Sequence, residues 1–138
     1  MLKAILLTIA TTTCLATSAV AQTPAAPPAT TAYRGDVGDW ALGRWTGYRY
    51  LDASYTRMTT EDRVLVVARA SDGNVGCQWG APASLAKAGW VPCVIDAASI
   101  VITPAAGTRV ELTREGAELE GRYFDSSTAR NRVHLHRE

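Results

Sequence analysis

The chain has little net charge, no long uninterrupted apolar run, almost no helical periodicity and few cysteines, and each shortage excludes something. Its 14 lysines and arginines nearly balance 13 acidic residues. The arginines are scattered rather than clustered, so there is no field to gather nucleic acid or an anionic membrane. A nucleic-acid partner is not expected. The apolar run from Ala4 to Ala10 is diluted by Thr11, Thr12 and Thr13. It is too short to cross a hydrocarbon layer of about 30 Å as a helix, so no stable membrane insertion is expected. There is no G-x-S-x-G elbow, no phosphate-cradling glycine loop and no C-x-x-C pair. These gaps argue against an enzyme and against a cofactor.

What is present begins with an address. Lys3, the short apolar run, and the small residues Ala19 and Ala21 fit an export signal over 1–21, cleaved before Gln22. Cleavage would remove Lys3 and Cys14, leaving a near-neutral chain with Cys77 and Cys93. An even pair of cysteines in a periplasmic or secreted protein predicts a disulfide, worth roughly 3 kcal/mol for a loop of this length. Residues 22–35 are rich in proline, alanine and threonine, cannot supply a core, and read as a disordered linker. The folded domain is expected over 36–138.

That domain reads as strand almost throughout. Eight short runs are expected at 43–51, 63–70, 74–79, 90–95, 99–103, 108–113, 118–125 and 131–137, most bounded by Gly, Pro, Asn or Asp. A turn or two of helix is expected at Pro82 to Lys87, framed by proline and Gly89. Such spacing predicts an all-β fold, a small eight-stranded antiparallel up-and-down barrel with one disulfide. Alternation is clearest late: Val110 and Leu112 oppose Arg109, Glu111 and Thr113, while Leu119, Gly121 and Tyr123 oppose Glu118, Glu120 and Arg122. With Glu115-Gly116 as the turn, Leu112 should lie opposite Leu119 and Glu111 opposite Glu120. The run Val64-Leu65-Val66-Val67 does not alternate. Val64 and Val66 are read as inward, leaving Leu65 and Val67 outward under a loop or another molecule.

Gly43-Arg44-Trp45 on the first strand and Arg137 on the last resemble the signature of calycin-type barrels, the superfamily of lipocalins and avidins. The resemblance implies that Trp45 lies across the barrel floor with the Arg137 guanidinium over it, Gly43, Trp45 and Arg137 being structural. The segment from Asp72 to Trp79 is similar to a D-G-x-x-G-x-aromatic pattern of small avidin-like barrels. The tryptophan-bearing late strands that line the biotin site of avidins have no counterpart, since all tryptophans lie at or before Trp90; biotin binding is not implied. The chain also resembles exported bacterial metalloprotease inhibitors, which are eight-stranded barrels with one disulfide and an N-terminal extension that enters the protease cleft. By that likeness the segment from Tyr33 to Asp39 would be the arm.

Candidate chemistry is sparse. His134 and His136 alternate on one strand and could offer two imidazoles to a metal, but two ligands are too few and no metal site is assigned. Glu118, Glu120 and Arg122 read as a solvated face, and Ser126, Ser127 and Thr128 as a turn. Tyr48 and Tyr50 share a face opposite Trp45, while Tyr55, Trp79 and Trp90 lie at or near loops. Tyr48, Tyr50, Trp79 and Trp90 are therefore the candidate ligand or partner contacts. The expected function is a non-catalytic exported barrel that binds a small apolar molecule or a protein. A barrel-type protease inhibitor and a structural protein of the cell envelope are the alternatives. A solidly packed interior would count against the carrier reading.

Overall fold

The computed structural model describes residues 40–51, 59–125 and 130–138. The signal, the linker, the arm to Asp39, Tyr55 and the hydroxyls at 126–128 lie outside the described residues. The strands are β1 (Gly43–Leu51), β2 (Thr59–Arg69), β3 (Val75–Gly80), β4 (Val91–Ile95), β5 (Ser99–Ile102), β6 (Arg109–Glu115), β7 (Glu118–Phe124) and β8 (Arg130–Arg137), with a 3-10 segment at Pro82–Lys87. Each strand pairs antiparallel with the next, and β8 pairs with β1, closing an eight-stranded barrel. Closure removes the exposed edges that a sheet of this size would otherwise present.

Short side-chain bonds hold the turns. Asp96 accepts backbone N–H bonds from Ala98 at 2.8 Å and Ser99 at 2.7 Å, and the Ser99 hydroxyl at 2.7 Å, tying β4 to β5. The Ser99 hydroxyl first, then the Ala98 and Ser99 amides, hold the Asp96 carboxyl below the usual carboxylate range.

The core lies inside the barrel. Leu65, Val75, Cys77, Ile100, Ile102, Val110, Leu119, Val133 and Leu135 have 0% exposure and belong to one cluster with Trp45 and Leu112. The expected faces of β6, β7 and β8 are therefore found, with Val133 and Leu135 inward.

On β2 the expected faces are reversed. Trp45 pairs with Leu65 and Gly43 with Val67, so Leu65 and Val67 share the inner face with Trp45. Val64 and Val66 point outward, buried under Leu85 of the 3-10 segment and Trp90. Local cover, not a partner, explains the second apolar face. Buried Gln78 fixes that cover, its side-chain amide donating to the carbonyls of Leu85 at 2.9 Å and Ala88 at 2.6 Å.

The β6–β7 register is also shifted from expectation. Leu112 lies opposite Gly121, Glu111 opposite Arg122 and Glu115 opposite Glu118. The turn is Gly116-Ala117, with Gly116 at φ 65° in the first central position, where two-residue hairpins of type II′ place glycine. The shift moves pairing by two residues, which preserves every face.

Cys77 and Cys93 form the disulfide, with Cα atoms 5.8 Å apart and both side chains in the interior. It crosses the β3–β4 seam, where the register contains only Gly76 with Pro92 and Cys77 with Val91. Pro92 has no N–H to give the ladder, so the covalent bond clamps the seam that hydrogen bonds hold least.

Candidate functional site

Three regions outside the apolar middle carry polar or aromatic groups. The first closes the end of the barrel where β1 begins. Trp45 is 2% exposed and its indole N–H donates to the Ala41 carbonyl at 3.0 Å. The Arg137 guanidinium lies 4.7 Å from the Trp45 ring centre and also donates to the Trp40 carbonyl. Trp40 in turn donates to the Asp96 carbonyl at 3.1 Å, and Arg114 lies 5.4 Å from its ring centre. Gly43, at φ 124°, starts the strand beneath Arg137. The Arg137 guanidinium thus covers the Trp45 indole at this end of the barrel. Trp40 and Arg114 add a second cation–indole pair. Sequence reading missed this pair; the signal was Arg114 in phase with Val110 and Leu112 on an alternating strand.

The second region lies inside the opposite end. Gly47 pairs with Arg63 and Arg49 with Glu61, in phase with Trp45 and Leu65, so these charges face inward. Both arginines bond the same Glu61 oxygen, Arg49 at 2.7 Å. Arg49 also lies 4.4 Å from the centre of the Tyr123 ring. Sequence analysis did not single out this trio. Arg49 follows Trp45 inward on β1, but its partners Glu61 and Arg63 are seen to face inward only once the phase of β2 is known.

The third region is the outer face of β1, β8 and β7. Register brings Thr46 beside His136 and Tyr48 beside His134, with Glu118 and Glu120 across from His136 and His134. Tyr48 and Tyr50 meet edge to face at 5.0 Å, and Tyr48 stacks on His134 at 5.5 Å with 28° between planes. His134 Nδ1 bonds Glu120, its Nε2 lies 4.0 Å from Glu118, and Arg132 sits 3.7 Å from Glu120 and 5.8 Å from the Tyr50 ring centre. His136 and the Thr46 hydroxyl are 3.3 Å apart. The hydrogen bond that the Tyr48 hydroxyl donates to Tyr50 leads in holding the Tyr48 phenol above its ordinary range, followed by repulsion from Tyr50, with Glu120 and Glu118 adding to it.

The four aromatic candidates therefore separate. Trp79 faces inward, 8% exposed in the core, and Trp90 packs against the cover over Val64 and Val66. Tyr48 and Tyr50 stay on the outer face, half-buried. Among the described residues, no group of three or more His, Cys, Asp or Glu side chains is arranged to hold a metal ion. Chemically the outer face offers stacked aromatics framed by both signs of charge, which suits recognition.

Comparison with family models, curated proteins and solved structures gives no match.

Proposed function

We propose that this chain is an exported, non-catalytic binding barrel of calycin type that engages a protein partner through the outer face of β1, β8 and β7. The observation that carries this reading is the packed interior. Residues such as Leu65, Ile100, Val110 and Leu135 have 0% exposure, and an interior packed to this degree favours contacts outside the barrel over an apolar ligand beside them. The aromatic pair Tyr48 and Tyr50 is left on the outside, with Arg132, His134 and Glu120 around it. Aromatics and arginine are the side chains that anchor protein interfaces, and charges at their rim set orientation more than affinity. Export is supported by the amino-terminal pattern and by the disulfide, which persists in oxidising compartments.

A photo-crosslinking residue placed at Tyr50 tests this in the exported protein, with the same residue at Val94 as the control. Val94 is the exposed apolar side chain of β4, 54% accessible. The expected result is a discrete protein adduct from position 50, competed by unlabelled barrel, and none from position 94. Equal labelling from both positions, or none from position 50, would contradict the proposal.

A further inference from the structure

The closed end of the barrel holds a hollow of about 390 Å³ lined by Trp40, Trp45, Arg114, Gly116, Ala117 and Arg137. Two guanidiniums share it, each set against an indole. Arg137 donates to the Trp40 carbonyl, and Arg114 Nε donates to the Gly116 carbonyl at 3.2 Å. Neither meets a carboxylate among the described residues, whereas Arg44, Arg49, Arg63, Arg109 and Arg132 all do. A guanidinium carries five N–H donors in a planar fork, so each of these two keeps donors to spare. The nearest acids on the hairpin, Glu115 and Glu118, pair with each other one step out of phase with Arg114, on the outer face.

We infer that this hollow binds a carboxylate carried on a small apolar group. Two unpaired forks on one rim match the two oxygens of a carboxylate, and fork-to-carboxylate bonds are the strong kind. The half-buried Trp40 indole gives the apolar body a surface to lie on. A bare inorganic anion would leave that indole unused, and a neutral apolar molecule would leave both guanidiniums unpaired. The chemistry is shared by a small organic acid and by the free end of a peptide that terminates in an apolar residue. The site is separate from the outer face proposed for the protein partner: both use β1 and β8, but the hollow takes Trp45 and Arg137, which alternate with the outward Thr46, Tyr48, His134 and His136.

The test titrates the mature protein with benzoate, following the indole N–H resonances of Trp40 and Trp45. Benzoate should give saturable shifts, led by Trp40. Benzamide, of the same shape without the charge, and inorganic phosphate should each bind at least about tenfold more weakly. Arg114→Gln should weaken benzoate binding by about tenfold while lowering the thermal midpoint by no more than about 8 °C, because the Trp40 contact it gives up is an exposed one. Arg137 also closes the floor, so its variant is not the deciding one. A peptide ending in phenylalanine, compared with its amidated form, separates the sources. Binding tighter than benzoate and lost on amidation assigns a protein tail, and binding weaker than benzoate assigns a free acid. Equal binding of benzoate and benzamide, phosphate binding as well as benzoate, or an unchanged affinity in Arg114→Gln would overturn the inference.

Discussion

Gly121→Ala is expected to destabilise the barrel by roughly 3 kcal/mol or more, the upper end of what overpacking costs. A methyl group at this position would sit 1.9 Å from the Glu111 carbonyl oxygen and 2.8 Å from the Leu112 Cα. Those neighbours are main-chain atoms of the paired strand and cannot rotate aside. Making room means spreading β6 from β7, and in a closed barrel the displacement runs into every other seam. Gly47 on β1 is placed likewise, with a methyl 2.0 Å from the His134 carbonyl oxygen and 2.9 Å from the Leu135 Cα. Glycines inside strands commonly mark such close approach, where the sheet must bend. Total stability of a small domain is about 5–15 kcal/mol, so either substitution removes a large share of it. Gly89→Ala is the control, since nothing lies within 4 Å of the methyl it would add. Its effect should stay within about 0.5 kcal/mol. Urea unfolding followed by circular dichroism measures all three, and equal midpoints for Gly121→Ala and Gly89→Ala would contradict the account.

Removing the disulfide should have the next largest effect. The bond joins residues separated by 16 positions, a loop for which lost chain entropy in the unfolded state is worth about 3 kcal/mol. Cys77→Ala with Cys93→Ala is therefore expected to lower the thermal midpoint by roughly 12–24 °C for a domain of this size. Cys77 and Cys93 are 0% and 1% exposed, so reductant should act only as the barrel opens, and β3–β4 should be the first seam to exchange its amides. Alkylation of freshly exported, unreduced protein should label neither cysteine. Labelling of both, or a midpoint unchanged in the double variant, would contradict a structural bond here.

Much of the fold was legible in the sequence because its turns are chemically explicit. Asp72-Gly73, Asp96 with Ser99, and Gly116 punctuate runs that would otherwise merge, and β-branched residues fill the runs between them. Strand phase was legible only where one face is charged. On β6, Arg109 and Glu111 oblige Val110 and Leu112 to face inward. On β2, Val64 to Val67 are all apolar, so the two phases differ by only one methylene in the apolar surface they bury within the strand. The choice is made elsewhere, by the pairing of Leu65 with Trp45 and by the cover that Leu85 and Trp90 place on Val64 and Val66. That one inversion hid the inward Glu61 and Arg63, because a wrong phase puts those charges in solvent; Arg49, in phase with Trp45 on β1, was left without the partners that explain it. The hairpin error was smaller and had a local cause: glycine took the first turn position rather than the second.

The candidate site was less legible than the fold. Tyr48 and Tyr50 were identifiable from their phase against Trp45. Their neighbours His134, Glu120 and Arg132 come from strands more than sixty residues later, and only barrel closure through β8 brings them to β1. Trp79 and Trp90 stood out only as aromatics at or near loops, and they pack against the core and the cover, since residue type does not encode which side of a closed sheet a side chain takes.

The central claim is that the barrel is filled and that recognition takes place on its outside. Methyl-resolved NMR of the mature protein during titration with benzene, which enters dry apolar cavities of about 150 Å³, tests it most directly. The account predicts no saturable shift at the methyls of Leu65, Ile100, Val110, Leu112 and Leu135. Saturable shifts confined to those methyls would reveal an interior site and contradict it.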